Sequence, residues 1–530
     1  MMPKVLVSDS LSKDGLAALE GTEGLTVDYK PGLSEDELVE AIKGVNGLVI
    51  RSGSKVTAKV IAAADELKVV GRAGIGVDNV DVPEASRRGI IVMNTPTGNA
   101  VTTAEHAISL LMSIARKIPF ASAAMKEGKW EKKKCQGIEL AGKTLGVIGL
   151  GNIGRIVAER ASGLHMKIVG FDPVVTKERA AELGIELVTL DELFARADAI
   201  TVHTPLNKHT QGLVNDDTIA KMKDGVLLVN AARGGIYEED ALIRGLESGK
   251  IAGVAIDVYV EEPPGLTDLI KHPLVVATPH LGASTTEAQQ RVAVEIAQQV
   301  AAYLTTGEIS NSLNVPAIPA ELAPVLGPYQ RLASALGEFL AQVSDIEPIG
   351  IEIGAEGEAA TLSLAPIVNA ALAGLLDKFL EAPVNAVNAP LVAKDRGIEV
   401  SENKSTATGE FSTLVSLTVK GKGGTSVSVA GTLAADGTAR LVRWGALEME
   451  AHLDGAMLVL RNADRPGVIG RIGTLLGESG INVSRMQVGL DASAKEAASL
   501  WAIDGKLPSD LVENVRASDN VNQAFAVRIG

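Results

Sequence analysis

The chain is short of cysteine, of excess positive charge and of long apolar runs. Its 530 residues include one cysteine, Cys135, which excludes an internal disulfide framework and a metal site built from several cysteines, and is typical of a reducing cytosol. The formal net charge of -15 at pH 7 argues against nucleic acid or an anionic membrane as a partner. No apolar run approaches membrane-spanning length, and residues 1–10 lack a basic stretch followed by an apolar segment. We therefore expect a cytoplasmic protein.

The most informative motif is a glycine-rich turn between a predicted strand and a predicted helix. The apolar run Thr144–Ile148 predicts a buried parallel strand, a helix begins near Asn152, and Gly149, Gly151 and Gly154 complete G-x-G-x-x-G. These glycines permit a tight turn, close approach of a pyrophosphate and packing of helix on strand, with the phosphate charge at the helix N-terminus. The next strand ends at Asp172, where an acid binds the ribose 2′-hydroxyl and repels a 2′-phosphate. The motif predicts NAD as the cofactor, in preference to NADP.

The rest of the chain divides into regions that differ in composition and in the order of their predicted strands and helices. The length predicts three or four domains. Short β-branched runs alternate with helical stretches over residues 5–98, which predicts a small doubly wound α/β unit. A helix over Thr102–Arg116 leads into the dinucleotide unit, and the helix Ser284–Leu304 suggests that the chain crosses back. A proline-rich linker is predicted over Asn314–Tyr329. Alternating Thr, Ser and Val follow it, and residues 455–530 show a βαββαβ order that predicts a ferredoxin-like sandwich.

Three predicted strand ends in the nucleotide half carry reactive groups, where ligands bind in open α/β sheets. They supply Arg233, Glu262 and His280. A histidine paired with a carboxylate suits general acid–base chemistry, and an arginine offers a planar fork to a carboxylate. Together with NAD, these groups suit hydride transfer at a 2-hydroxy carboxylate. The remaining histidines considered are predicted to be structural: His106, His165, His272 and His452.

These motifs, together with the run Gly71–Asp81, resemble the D-isomer-specific 2-hydroxyacid dehydrogenase family. The resemblance implies a Rossmann-type NAD domain (99–283) inserted in a flavodoxin-like substrate domain (1–98 and 284–315). An α+β intervening domain similar to an allosteric substrate-binding module (318–453) and a ferredoxin-like ACT regulatory domain (455–530) would follow. The whole chain is similar to long-form members that oxidise D-3-phosphoglycerate to 3-phosphohydroxypyruvate, the first step of phosphorylated L-serine biosynthesis. Such members are homodimers or homotetramers.

Carried over residue by residue, the resemblance implies a set of site residues. His280 would be the acid–base group, Glu262 its partner, and Arg233 the ligand of the substrate carboxylate and carbonyl. The cofactor would contact Ile75, Gly149, Gly151, Asn152, Ile153, Gly154, Asp172, Thr204, Ala231, Ala232, Asp257, Gly282 and Ala283. The substrate would contact Arg51, Ser52, Arg72, Gly74 and Asn99, with Arg51 and Arg72 as candidate phosphate ligands because the substrate is anionic at both ends. Asn152 stands where many members carry Arg or His, a difference expected to adjust pyrophosphate affinity.

The turn Arg461–Gly470 is similar to the ligand loop of ACT domains, which bind amino acids. Backbone N–H groups at the helix start could hold a carboxylate, Asp464 an ammonium group and Asn482 a hydroxyl. With Asn462, these residues form the predicted effector site for L-serine, although Asn462 replaces an aromatic residue of some serine-sensitive members. The alternative is a sandwich that serves only oligomer contacts.

Two other functions stay open at this point. One is a dehydrogenase of another small 2-hydroxy acid, of the glyoxylate or hydroxypyruvate type. The other is a non-catalytic, NAD-dependent co-regulator, which could keep the same three side chains. Measurable turnover would exclude the co-regulator and leave the two dehydrogenase functions, on D-3-phosphoglycerate or on another 2-hydroxy acid.

Overall fold

The first unit is a five-stranded parallel sheet with strand order β2-β1-β3-β4-β5, the flavodoxin-like order expected. The computed structural model describes residues 2–318, 321–380, 383–407, 409–491 and 495–530. The elements of the first unit are β1 (Lys4–Val7), α1 (Lys13–Glu20), β2 (Thr26–Tyr29), α2 (Glu35–Ala41), β3 (Gly47–Ile50), α3 (Ala58–Ala63), β4 (Val69–Arg72), α4 (Val82–Arg87) and β5 (Ile91–Met93). The central strand β3 is buried throughout, as its uninterrupted apolar run predicts.

The second unit is a seven-stranded parallel sheet with order β12-β11-β10-β9-β6-β7-β8. Its elements are α5 (Ala100–Ala115), α6 (Ile118–Lys126), β6 (Thr144–Ile148), α7 (Asn152–Gly163), β7 (Lys167–Phe171), α8 (Lys177–Glu182), β8 (Glu186–Leu187), α9 (Leu190–Arg196), β9 (Ala199–Val202), α10 (Asp216–Lys221), β10 (Val226–Asn230), α11 (Glu239–Glu247), β11 (Ile251–Ile256), α12 (Asp268–Lys271) and β12 (Val275–Ala277). The strand order reverses between β6 and β9, which is where doubly wound sheets bind ligands. The Rossmann-type architecture is confirmed.

The chain crosses between these units twice, and the two crossings are hydrogen-bonded to each other. The long helix α13 (Thr286–Thr306) returns to the first sheet, where its Ile296 and Val300 pack against Gly71. Thr103 Oγ1, near the start of α5, donates to the carbonyl of Gly282 just before α13, at 2.9 Å. The cleft between the two units is therefore bordered by both crossings.

The last two units share one ten-stranded sheet, of order β14-β13-β15-β16-β17-β18-β20-β21-β19-β22 in the described residues. The elements before the terminal unit are α14 (Ala323–Val343), β13 (Gly350–Gly357), α15 (Glu358–Thr361), α16 (Ala365–Leu376), a 3-10 turn (Asp377–Phe379), α17 (Ala389–Asp395), β14 (Glu399–Ser405), β15 (Thr413–Lys420), a second 3-10 turn (Lys422–Gly424), β16 (Ser426–Leu433), β17 (Ala439–Trp444) and β18 (Leu447–His452). The terminal unit follows as β19 (Gly455–Ala463), α18 (Val468–Glu478), β20 (Val483–Asp491), β21 (Glu496–Ile503), α19 (Ser509–Arg516) and β22 (Val521–Ile529). Its βαββαβ order is the predicted one.

The predicted linker over Asn314–Tyr329 is wrong in its second half. Helix α14 begins at Ala323 and includes Pro324 in its first turn and Pro328 further in. A proline in the first turn costs no hydrogen bond, because the first N–H groups of a helix have no partner within it. Pro319, another linker residue, lies outside the described residues. The limits proposed for the four domains remain predictions.

The intervening unit docks on the first unit at the end of α4. Asn385 Nδ2 donates to the carbonyl of Gly89 at 3.0 Å, and Asn388 Nδ2 donates to the carbonyl of Arg87 at 3.2 Å. Within the described residues, no single helix is long and apolar enough to cross a membrane. The helices α5 and α6, taken together, have the length and composition of a membrane span, but they are bent by 63° relative to each other.

Candidate active site

The glycine turn after β6 has the shape that a dinucleotide requires. Gly149 has a φ of +88°, and a Cβ there would lie 2.6 Å from the carbonyl oxygen of His203. A Cβ on Gly154 would overlap the carbonyl oxygen of Gly149, whereas one on Gly151 would meet no atom within 4 Å. Gly149 and Gly154 are therefore packed against the protein, whereas the space beside Gly151, where α7 begins, is free to receive a ligand.

Asp172 lies beside this turn, as the sequence predicts. Its Oδ2 accepts the N–H of Leu150 at 2.8 Å, and its Oδ1 accepts the N–H of Val174 at 2.9 Å. These bonds hold the carboxylate next to the glycine turn, the position at which it would meet a ribose.

Several buried polar atoms around the turn have no hydrogen-bond partner among the described residues. They include Thr204 Oγ1, after β9, Asn99 Oδ1, at the first crossing, and His203 Nδ1. Burial lowers the pKa of His203 to about 3, so this ring is neutral at physiological pH. Unpaired buried polar atoms are costly, and a bound dinucleotide would satisfy them. The donor set thus fits the cofactor that the turn predicts.

Other predicted cofactor residues surround the same crevice. Ala231 and Ala232 are buried directly after β10, and Ala232 donates its N–H to Asn230 Oδ1 at 3.0 Å. Ile153 is the second residue of α7, and Ala283 lies in the second crossing. The Ile75 carbonyl, on the opposite side of the cleft, accepts from Asn94 Nδ2 at 2.6 Å.

His280 and Glu262 form the predicted acid–base pair. His280 Nδ1 lies 2.7 Å from Glu262 Oε2, and Glu262 Oε1 accepts the N–H of Tyr259 at 3.1 Å. His280 has a φ of +54°, a left-handed conformation that is uncommon for histidine. The pair is partly exposed and lines the cleft between the two units, so it can exchange a proton with a bound molecule.

Asp257 holds the backbone that carries His280. It is fully buried and accepts from the N–H of Leu281 at 2.7 Å, the N–H of Gly282 at 2.8 Å and the hydroxyl of Thr278 at 2.6 Å. Burial alone would raise the pKa of Asp257, but hydrogen bonds, chiefly from His106 and Thr278, bring that pKa below its ordinary value. The carboxylate is therefore ionised, and it binds residues on both sides of His280 in the chain: the hydroxyl of Thr278 before it and the N–H of Leu281 after it.

Arg233 reaches across the cleft to the first unit. Its Nε donates to Asp78 Oδ2 at 2.8 Å, and its Nη1 donates to the carbonyl of Ala232 at 2.6 Å. A Cβ on Gly76 would overlap Nη2 of Arg233, so glycine is required for this approach. Nη2 lies next to the Gly76 backbone, and Arg233 is one of the residues that line the cleft.

Arg72 is a second guanidinium in the cleft, with an Nε that is buried and unpartnered in the described chain. Burial, then the nearby charge of Arg233, lowers the pKa of Arg72 to about 10, so it stays cationic. A Cβ on Gly74, whose φ is +138°, would overlap Nη1 of Arg72. An anion in the cleft would compensate this buried positive charge.

The loop that carries Arg51 and Ser52 is held from below by Asp9. Asp9 Oδ2 accepts the N–H groups of Arg51 at 2.6 Å and Ser54 at 3.1 Å, while Arg51 Nη1 donates to the carbonyl of Ser10 at 3.2 Å. The cleft has a volume of about 640 Å³, and its polar lining includes Ser52, Lys55, Arg72, Asp78, Arg233, Glu262 and His280. Arg51 is not part of that lining, although its charge lies near Arg72.

The three predicted effector residues are not brought together. Asn462 pairs with Ala497 in the sheet, whereas Asn482 Nδ2 donates to Asp504 Oδ2 at 2.7 Å, beyond the other end of β21. Position 504 lies seven residues along the chain from position 497, which corresponds to roughly 23 Å of strand. Asp464 follows Asn462 by two residues and stays at its end. A site that uses all three needs a second copy of this unit.

Sequence reasoning missed several residues that shape the cleft: Asp9, Lys55, Asp78, Asn79 and His106. Asn79 Nδ2 donates to the carbonyls of Arg51 and Ser54, each at 2.7 Å. Asp9 lies two residues after the end of β1 at Val7, and a polar residue shortly after a predicted strand is a signal that could have found it.

Comparisons with known proteins show the family to which the chain is similar. Residues 108–282 match the NAD binding domain of D-isomer specific 2-hydroxyacid dehydrogenases, residues 325–444 the D-3-phosphoglycerate dehydrogenase intervening domain, and residues 456–496 the ACT domain. D-3-phosphoglycerate dehydrogenase of a Synechocystis species is 40% identical over 100% of this chain and 95% of its own length. The Methanocaldococcus jannaschii enzyme of that name is 40% identical over the full length of both. A crystal structure of a glyoxylate reductase from Paecilomyes thermophila (30% identity, TM-score 0.55) covers 59% of this chain and 98% of its own.

Proposed function

The chain belongs to the D-3-phosphoglycerate dehydrogenase family, and we propose that it oxidises D-3-phosphoglycerate to 3-phosphohydroxypyruvate with NAD. This reaction opens the phosphorylated route to L-serine. The observation that carries the proposal is the His280–Glu262 pair, 2.7 Å apart, in one cleft with Arg233 and the buried Arg72. One proton acceptor and two guanidinium groups in the same cleft match a hydroxyl flanked by a carboxylate and a phosphate.

His280 is the general base in the oxidative direction. Because Glu262 accepts a hydrogen bond from Nδ1, that nitrogen carries the hydrogen and Nε2 is the free base. Nε2 takes the proton of the C2 hydroxyl, and the Glu262 carboxylate stabilises the imidazolium that results. In the reverse direction the same ring returns the proton to the oxo group.

Arg233 binds the substrate carboxylate and the oxygen on C2. The carbonyl that forms there carries partial negative charge, which a fixed guanidinium stabilises. Asp78 orients the fork through Nε. NAD, when bound, accepts the hydride from C2.

Arg72 and Arg51 serve the phosphate, with Ser52 beside them. Arg72 is the strongest candidate for binding the phosphate, because its buried Nε has no partner in the described chain and other guanidinium groups lie nearby. Lys55, missed by sequence reasoning, adds a third cation to the cleft lining. An unphosphorylated 2-hydroxy acid would leave this side of the cleft uncompensated.

The residues that hold NAD are those of the glycine turn and its surroundings. Gly149, Gly151 and the start of α7 would receive the pyrophosphate, Asp172 the ribose, and Thr204 supplies a buried polar atom that lacks a partner in the described chain. Asn99, which the resemblance assigns to the substrate, carries a second such atom, and we propose that it serves the cofactor instead.

L-serine is the proposed effector, bound at the ACT domain through Asp464 and Asn462 of one copy and Asn482 of another. The separation of these residues in a single chain supports a site shared between copies, and hence a homodimer or homotetramer. A cytoplasmic location is proposed from the single cysteine.

The test is NADH formation at alkaline pH with hydrazine to trap the oxo product. D-3-Phosphoglycerate should be turned over with a kcat/KM at least about 100-fold above that of D-glycerate, because only the former pairs with the buried cation. Equal values for the two substrates would favour the second candidate, a dehydrogenase of small unphosphorylated acids, which the likeness to a glyoxylate reductase supports. NADH binding without any turnover would reject both and leave the co-regulator. Turnover that falls with added L-serine supports the effector, and turnover unaffected by L-serine rejects it.

A further inference from the structure

His106 lies outside the machinery described so far, yet it contacts the residue that holds His280. Its Nε2 lies 3.1 Å from Asp257 Oδ1 and 3.3 Å from Thr278 Oγ1, and its side chain is 18% exposed. Asp257 Oδ1 is the same oxygen that accepts the N–H of Leu281, the residue after His280. One carboxylate oxygen is thus shared by the imidazole and by the backbone of the acid–base residue.

Helix α5, which carries His106, also makes a second hydrogen bond to the segment 278–282 around His280. Thr103, three residues earlier and on the same face of α5, donates its hydroxyl to the carbonyl of Gly282 at 2.9 Å. The N–H of Gly282 donates to Asp257 Oδ2 at 2.8 Å, so the two peptide groups that flank this residue are each held by a side chain. A Cβ on Gly282 would lie 3.3 Å from Thr103 and 3.4 Å from Asp257, which leaves little room for displacement.

The left-handed backbone of His280 needs such support. A non-glycine residue at a φ of +54° is held in place by its surroundings, and the bonds that fix it here converge on Asp257. Without a donor from the α5 side, the buried carboxylate loses one of its hydrogen-bond donors and is free to shift toward the others.

We propose that His106 is a positioning residue for the proposed dehydrogenase reaction: by donating to Asp257, it fixes the segment 278–282 and thereby the imidazole of His280. The inference rests on the proposed function only for its kinetic readout. The geometry applies to whichever 2-hydroxy acid the cleft binds.

The kinetic test compares His106→Ala, His106→Gln and the wild type. Glutamine places an amide N–H where Nε2 of the histidine lies, so it can restore the bond to Asp257. We expect His106→Ala to lower kcat by about ten- to hundredfold with little change in KM, because a misplaced acid–base group affects the chemical step. His106→Gln should recover most of that loss. The exposed His209→Gln, whose side chain lies outside this network, is the matched control and should match the wild type.

Hydrogen–deuterium exchange of the ligand-free protein supplies a readout that needs no turnover. In His106→Ala, the peptide that covers 278–285 should exchange about fivefold faster, while the peptides of α5 stay at the wild-type rate. Faster exchange along all of α5, or a kcat loss that glutamine does not recover, would assign His106 a merely structural role and overturn the proposal. If the wild type lacks activity on D-3-phosphoglycerate but the exchange result holds, the proposed function fails and the positioning role stands.

Discussion

Asn152 Nδ2 lies 3.1 Å from the carbonyl oxygen of Pro96 and donates a hydrogen bond to it. The bond joins the first residue of α7, where the pyrophosphate would bind, to the first crossing between the two units. Asn152 Oδ1 in turn accepts from Arg155 Nη2 at 3.1 Å. The residue that differs from many family members is therefore a contact between the cofactor turn and the substrate unit.

Asn152→Asp should raise the KM for NAD by roughly ten- to hundredfold, because a carboxylate at this point repels the pyrophosphate. The melting temperature should fall no further than that of Asn152→Ala, since both variants lose the Pro96 bond and an acid at a helix N-terminus is favourable for folding. Steady-state kinetics at saturating D-3-phosphoglycerate measures the first effect, and Asn152→Ala, which loses the Pro96 bond without adding charge, is its control. An unchanged KM would place the pyrophosphate elsewhere.

Arg72→Gln should raise the KM for D-3-phosphoglycerate by about ten- to hundredfold, the value of one charge-assisted hydrogen bond. The KM for D-glycerate should change little, because that substrate has no phosphate to lose. Parallel measurement of both substrates decides the point. Equal losses for the two would mean that Arg72 supports the cleft and does not read the phosphate.

Gly74→Ala should reproduce part of the Arg72 phenotype. A Cβ at this position overlaps the guanidinium of Arg72, and the φ of +138° is one that glycine alone adopts readily. Gly128→Ala is a matched control: its φ is +75°, but a Cβ there meets no atom within 4 Å. We expect both variants to lose stability in thermal melts and only Gly74→Ala to lose affinity for the phosphorylated substrate.

Glu262→Gln should lower kcat by about 100-fold or more while NADH binding stays at the wild-type level. The amide keeps the shape of the side chain but removes the charge that stabilises the imidazolium of His280. Fluorescence titration with NADH separates loss of binding from loss of chemistry. A kcat within twofold of the wild type would remove Glu262 from the mechanism.

The lowered pKa of Asp257 predicts that the free energy of unfolding depends on pH. The pKa of Asp257 in the folded chain lies below the ordinary value of 3.8, so it contributes stability that is fully present above pH 3.8 and is lost as the pH falls through the lower folded value. Asp257→Asn should therefore melt at a lower temperature than the wild type at pH 7, and the difference should shrink as acid approaches the folded pKa. A difference that is constant from pH 7 to pH 3 would contradict this assignment.

The sequence predicted those features that depend on neighbours along the chain. The strand Thr144–Ile148 and the start of α7 at Asn152 were predicted to the residue, because apolar periodicity and glycine spacing are local signals. The Arg233–Asp78 pair joins residues 155 positions apart, and its existence depends on how two separate sheets face each other. The contact between His106 and Asp257 could not be predicted for the same reason, because nothing near His106 along α5 indicates that carboxylate. Pro328 inside α14 shows the reverse case, in which tertiary packing outweighs a local helix-breaking signal.

The unbroken sheet from β14 to β22 has a mechanical consequence. Its β18–β20 pairing fuses the intervening and terminal units, and Gln342 of α14 clamps the last strand by exchanging hydrogen bonds with the Arg528 backbone at 2.9 and 3.0 Å. These two units are therefore joined in one sheet, and Asn388 connects them to the first unit by a hydrogen bond to the carbonyl of Arg87 at the end of α4. The opposite end of α4 is capped by Asp81, three residues after Asp78, the partner of Arg233. Helix α4, about 9 Å long, thus links the docking contact at Arg87 to the segment that carries Asp78 and, through it, to the guanidinium of Arg233.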